Sequence, residues 1–160
     1  MDQSIVTSAP GANRKIAYIQ AGWHRSIVNQ AYAAFAEVCD AEGLGQAIDL
    51  FEVPGSLEIP LQAKLLAKSG DYSVIVAAGL IVDGGIYRHD FVAATVLDAM
   101  MQVQLESEVP ILSIVLTPHQ FQESDAHEAF FRDHFRVKGR EGAQACLQTL
   151  ANLARFNNAA

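Results

Sequence analysis

Four short β-type runs, each followed by a segment of helical periodicity, constrain this chain more than any other feature of its sequence. The third run, DYSVIVAAGL from Asp71 to Leu80, is apolar almost throughout. A strand without alternation has no solvent face, so it belongs inside a parallel sheet covered on both sides. The first run, KIAYIQ from Lys15, ends at Ala21-Gly22. A helical pattern follows, with Ile27, Val28, Ala31, Tyr32, Phe35, Val38 and Cys39 on one face. Gly43 and Gly45 stop that helix, and the alternating AIDLFEV reads as the second strand. Pro54-Gly55 then breaks before a second helix running up to Ser69-Gly70. A third helix is predicted from about Asp90 to Glu108, with Asp90 as its cap, and Pro110 opens a fourth strand, ILSIVLT. Beyond Thr117-Pro118 the pattern is helical only. One helix is expected from about Ser124 to Phe135, then a break at Lys138-Gly139, then a last amphipathic helix to about Phe156. Strands alternating with helices imply right-handed crossovers and an α/β fold, a three-layer α/β/α sandwich on a four-stranded parallel sheet.

The 160 residues suit one domain, and the 51% apolar content is enough to bury a core. Residues 15–160 are read as that domain. Residues 1–14, rich in Ser, Ala, Pro and Gly and without a sustained period, are read as an arm preceding it. A formal charge of −7 has the wrong sign for a groove that neutralises phosphate backbones, which argues against nucleic acid. The longest apolar stretches, such as Val74–Val82, fall short of the about 20 residues needed to cross a bilayer. Met1–Asn13 has no basic head followed by an apolar run, and the expected location is the cytoplasm. Cys39 and Cys146 form no C-x-x-C pair, and both read as small core or surface thiols.

In open α/β sheets ligands bind beyond the carboxyl ends of the strands, which singles out four loops. The first carries Trp23, the only tryptophan, which can stack on a flat heterocycle or pack against a subunit or the core. The second, VPGSLEIP, presents Ser56, Leu57 and Glu58 at a helix start. There Glu58 can serve a ligand hydroxyl or simply favour the helix dipole. The third runs from Gly79 to Asp90. Its paired Gly84-Gly85 before a helix can cradle a phosphate or merely turn the chain. Arg88, His89 and Asp90 add a cation, an imidazole and a carboxylate, of which adjacent positions at a helix start cannot all face one ligand. The fourth region holds His119, His127, His134 and Lys138. The histidine spacing matches no compact metal set, which favours surface histidines, and Lys138 reads as a second cation for an anionic ligand or as a solvated charge. The turn after the first strand lacks the acidic pair that a flavodoxin-like signalling domain carries there.

At these loops the chain resembles the lumazine synthases of riboflavin biosynthesis, from about Lys15 to Leu153. VPGSLEIP is similar to the family's V-P-G-x-x-E-I-P, Gly79–Val92 to its substrate and phosphate loop, VLTP to its fourth strand end, and KGREGAQA to its K-G-x-E-x-A helix start. GGIYRHDFV departs from the common pattern, which has threonine in the phosphate turn and histidine at the position of Arg88. With Trp23 in place of phenylalanine, the chain is similar to the type II bacterial form. The resemblance implies a flavodoxin-like fold and a transferase. That enzyme condenses 5-amino-6-(D-ribitylamino)uracil with 3,4-dihydroxy-2-butanone 4-phosphate to 6,7-dimethyl-8-ribityllumazine, phosphate and water, with no metal or other cofactor. It further implies that Trp23 stacks on the pyrimidine, that Ser56, Leu57 and Glu58 line the ribityl chain, and that Leu80, Ile81 and Val82 hold the ring through backbone groups. Gly85 and Ile86 match the phosphate-contacting pair, Arg88 the proton-transfer position with His89 beside it, and Ser113 a residue lent by a neighbouring subunit. His127 matches the family's phosphate-binding arginine and Lys138 a lysine near the same anion. The implied assembly is a homopentamer, with a decamer of two pentamers as the type II expectation. A lumazine- or flavin-binding protein with weak or no catalysis is the alternative.

Overall fold

The computed structural model describes residues 15–157, so the expected arm over residues 1–14 lies outside the described residues. The strands are β1 (Lys15–Ala21), β2 (Ile48–Val53), β3 (Tyr72–Leu80) and β4 (Ile111–Leu116), all parallel and ordered β2-β1-β3-β4. The helices are α1 (Arg25–Ala41), α2 (Ile59–Ser69), α3 (His89–Ser107) and α4 (Asp125–Asn157). This is the α/β sandwich that the alternating pattern predicts. From β1 the chain steps to one side for β2, crosses back over β1 for β3 and continues outward to β4. The direction of winding therefore reverses between β1 and β3, where the carboxyl ends of the strands leave a crevice.

The period-2 geometry of the central strands divides their side chains between two cores. Ala17, Ile19, Ile75 and Ala77 face α2 and α3, whereas Ile16, Tyr18, Val74 and Val76 face α1 and α4. Both sides of β1 and β3 are therefore dry, which is why β3 shows no alternation in sequence.

Two expectations are corrected. The break at Lys138-Gly139 does not occur, because α4 runs without interruption from Asp125 to Asn157. A Cβ on Gly139 would collide with the carbonyl of Ala31, and one on Gly142 would stand 2.6 Å from Ile114 Cδ1. These glycines lie on the seam where α4 presses on α1 and β4. The close approach they allow offsets the about 1 kcal/mol that a glycine costs a helix relative to alanine. Asp90 likewise does not cap α3. That helix starts at His89 behind Arg88, and the Asp90 carboxylate accepts a hydrogen bond from Arg88 Nη2 at 3.1 Å.

Candidate active site

The turns after β1 and β2 are tied together. Gly22 N–H donates to the Val53 carbonyl at 2.9 Å, and a Cβ on Gly22 would lie 3.1 Å from the Pro54 carbonyl oxygen. Trp23 follows at once, 69% exposed, so it packs into neither core of this chain. Its indole edge rests against Gly55, where a Cβ would stand 3.2 Å from Cδ1, 3.4 Å from Nε1 and 3.3 Å from Glu58 Oε2. Glycine at this position is what lets an aromatic face and a carboxylate meet. The carboxylate is fixed by its own turn: Gly55 N–H donates to Glu58 Oε2 at 2.9 Å, and Glu58 N–H returns to the Gly55 carbonyl at 3.3 Å. Ser56 reaches over the end of β3, its Oγ occupying the space beside Gly79 that a side chain would fill. Leu57 stands exposed beside it.

In the third loop, Ile81 N–H donates to the Leu116 carbonyl at 2.9 Å, extending the β3–β4 ladder one step. The side chains of Leu80 and Ile81 are buried in the core, so these residues can meet a ligand only through the backbone. Gly85 adopts φ +78°, a left-handed conformation, and its N–H donates to Asp83 Oδ1 at 3.0 Å. One donor of the expected phosphate cradle is thus already engaged by a carboxylate. Ile86 beside it is 85% exposed.

Arg88, His89 and Asp90 all line one open cleft of about 560 Å³, together with Asp83, Ile86 and His119. Arg88 is extended, with ψ 103°, and the helical rotation begins after it; Asp90 commits its carboxylate to Arg88, the structural part expected of one of these three adjacent residues. The Arg88 guanidinium is held between Asp90 and the face of Phe91, 3.9 Å from the ring centroid. His89 and His119 carry no such commitments among the described residues, nor does the hydroxyl of Tyr87 in the same lining.

Of the residues expected from sequence, Gly85, Ile86, Arg88 and His89 line that cleft; Trp23, Ser56, Leu57, Glu58, Leu80, Ile81 and Val82 do not, nor do Ser113, His127 and Lys138, which stand on β4 and α4. Ser113 sits in the middle of β4, exposed on the outer edge of the sheet, with Oγ accepting from Val115 N–H at 3.2 Å. His127 opens α4, and its Nδ1 accepts the Gln122 N–H at 3.0 Å. Lys138 lies three turns further along α4. Its Nζ donates to Glu141 at 2.6 Å, which holds the Glu141 carboxyl below its usual range. His119, read from sequence as one of the surface histidines of the fourth region, lines this cleft three residues beyond the end of β4. The packing of His24 on Phe121, with ring centroids 5.1 Å apart, joins residues too distant in sequence for any motif to link. Among the described residues no group of three or more His, Cys, Asp or Glu side chains is placed to hold a metal, and no helix is long and apolar enough to cross a membrane.

Comparison with known proteins matches residues 13–154 to the family model of 6,7-dimethyl-8-ribityllumazine synthase. A protein of Bradyrhizobium diazoefficiens named 6,7-dimethyl-8-ribityllumazine synthase 2 is 56% identical over 89% of this chain and 86% of its own length. One of the same name from Pseudomonas syringae pv. tomato is 54% identical over 86% of this chain and 82% of its own. The Rhodococcus erythropolis 6,7-dimethyl-8-ribityllumazine synthase is 52% identical over 88% and 91% respectively.

Proposed function

Because the chain belongs to the 6,7-dimethyl-8-ribityllumazine synthase family, we propose that it condenses 5-amino-6-(D-ribitylamino)uracil with 3,4-dihydroxy-2-butanone 4-phosphate. The products are 6,7-dimethyl-8-ribityllumazine, phosphate and water, and the setting is the cytoplasm. The observation that carries this reading is the gathering of Trp23 and Glu58 at Gly55, with the adjoining Ser56 on Gly79 at the end of β3. An exposed indole offers the pyrimidine a face. Glu58, fixed by Gly55, together with Ser56 and Leu57, serves the ribityl chain. The backbone of Leu80, Ile81 and Val82 is left for the ring, since two of those side chains are buried.

The phosphate end falls to Gly85, Ile86 and Arg88. A guanidinium is a fixed charge suited to holding phosphate and favouring its departure. His89, free in the same cleft, is the better placed group for moving the proton. Imine formation, phosphate loss and ring closure join two bound molecules, so orientation supplies much of the acceleration. Ser113 on β4 and His127 and Lys138 on α4 serve a neighbour's site across a subunit boundary in a homopentamer, with a decamer of two pentamers as the larger assembly. The apolar side chains exposed on α2 and α3, Leu61, Leu65 and Leu105 among them, are suited to that boundary.

The test mixes the two substrates and follows lumazine absorbance and phosphate release, which should rise in equal amounts. Arg88→Ala should mainly raise KM for the butanone phosphate, and Arg88→His should increase turnover. If Arg88→Ala leaves both parameters unchanged while His89→Ala abolishes turnover, His89 takes the catalytic position. A second reading, a lumazine- or flavin-binding protein with little turnover, draws on the engagement of Arg88 by Asp90 and Phe91. Tight binding of the lumazine without its formation would establish that reading instead.

A further inference from the structure

His24 has the backbone of a residue under constraint. Only two non-glycine residues among those described have positive φ, His24 at 53° and Glu108 at 57°. Glu108 closes α3, where a left-handed residue is routine. His24 opens α1, with ψ 41°, at a position that is ordinarily extended. Its carbonyl accepts the amides of the third and fourth helical residues, Ile27 at 2.9 Å and Val28 at 3.0 Å. A left-handed conformation in a non-glycine residue persists only when its surroundings impose it. Here the imidazole stands edge-on to Phe121, and Phe121 in turn packs 5.3 Å from the buried Phe131 of α4. His127 closes the same group, 6.4 Å from Phe121.

The residue immediately before this turn is Trp23. The indole is largely exposed and rests only its edge on Gly55, so the backbone on either side shares in setting its direction. On one side Gly22 is bonded to Val53. On the other stands His24. We propose that His24 is a positioning residue whose left-handed backbone, locked by Phe121, aims Trp23 at the ring of the ribitylaminouracil. The substrate in this statement rests on the function proposed above, whereas the aiming of Trp23 does not.

The test uses the assembled, full-length protein and its sole tryptophan as reporter. His24→Val puts a β-branched residue where it cannot hold positive φ. It should shift Trp23 emission and raise KM for the ribitylaminouracil about tenfold, leaving KM for the butanone phosphate and the far-UV circular dichroism unchanged. His24→Asn, which tolerates the left-handed region, should restore both toward the unmodified values. His24→Gly and Phe121→Ala keep the turn accessible without the ring contact, and should lower Trp23 anisotropy with a smaller rise in the same KM. Unchanged emission, anisotropy and ribitylaminouracil KM in His24→Val would overturn the proposal, as would an equal rise in both KM values. Should His24→Val fail to fold, unchanged anisotropy and KM in both His24→Gly and Phe121→Ala would overturn it. If the unmodified protein shows no turnover, the functional reading fails, and the emission and anisotropy of the same variants still decide the role of His24.

Discussion

The two sides of the sheet are finished differently. On the α1/α4 side the helices press together through Ala31, Gly139 and Gly142, and the largest side chains, Tyr18, Phe35 and Phe135, are fully buried. On the α2/α3 side the inner face is equally dry, but the outer face keeps Leu57, Leu61, Leu65, Phe91 and Leu105 exposed, beside the open edge of β4 with Ser113. Glycine contacts close the seam between α1 and α4, although α4 keeps Phe130 and Phe156 exposed, whereas α2 turns leucines at i, i+4 spacing outward. The subunit boundary proposed above draws on this difference, since α2 and α3 offer it exposed leucines beside the β4 edge that carries Ser113.

Breaking the closed side should have the largest effect. Gly139→Leu puts a branched side chain into the Ala31 backbone, which cannot swing aside as a flexible side chain would, and should leave little soluble folded protein. Gly139→Ala, the milder form, should cost about 3 kcal/mol and lower the melting temperature by about 10 °C. Gly84→Ala, with open space around it, should leave melting unchanged. Thermal denaturation followed by circular dichroism measures all three.

Charging the open side should act on assembly and leave the fold intact. Leu61→Glu with Leu65→Glu should retain the far-UV spectrum, reduce the particle to the single chain of 17.3 kDa and lower turnover by about 100-fold. Retained activity in a monomeric variant would count against a site completed by a neighbour.

The buried thiols sharpen the contrast without any mutation. Burial pushes Cys39 up to about 11 and Cys146 up to about 12, the latter with help from its proximity to Cys39. Both should therefore resist a disulfide reagent at pH 8 and react only at the rate of global unfolding. Prompt labelling would show that the α1/α4 side opens on its own.

The smallest effect is expected at the far edge, where the Tyr72 hydroxyl donates to Asp49 Oδ2 at 2.8 Å and Lys15 pairs with the same carboxylate. The Tyr72 bond, then Lys15, hold Asp49 below its ordinary 3.8. Its contribution to stability is thus present above that value and lost as pH falls through the folded-state value. Tyr72 itself is pushed up to about 12, chiefly by burial and then by Asp49. Its contribution is full below 10.0 and lost as pH rises through about 12. Tyr72→Phe should move the acid unfolding midpoint slightly upward and reduce the alkaline limb in a pH titration of stability, leaving the part that belongs to Tyr18, which burial also pushes up.

Strand positions were legible in the sequence because burial on both faces writes an unmistakable pattern into β3, and alternation marks β2. The continuity of α4 was not legible. Glycine lowers local helix propensity, and only the contact with Ala31, supplied by another helix, shows why one is present at residue 139. At the candidate site, Gly55 with Glu58 could be read locally, since the hydrogen bond spans three residues. Asp83 on Gly85 and Asp90 on Arg88 were within reach of the same reasoning, but their residue types also suit a cap or a solvated loop. The His24–Phe121 pair was beyond it, because its partners meet only after the sheet has brought the ends of β1 and β4 together.

The measurement that bears most directly on the account is size separation with light scattering, each fraction assayed with the two substrates. Lumazine formation should coincide with a particle of five or ten chains of 17.3 kDa and be absent from any single-chain fraction. Full activity in a 17.3 kDa fraction would contradict the shared site, and a large particle that binds lumazine but forms none would contradict the proposed reaction.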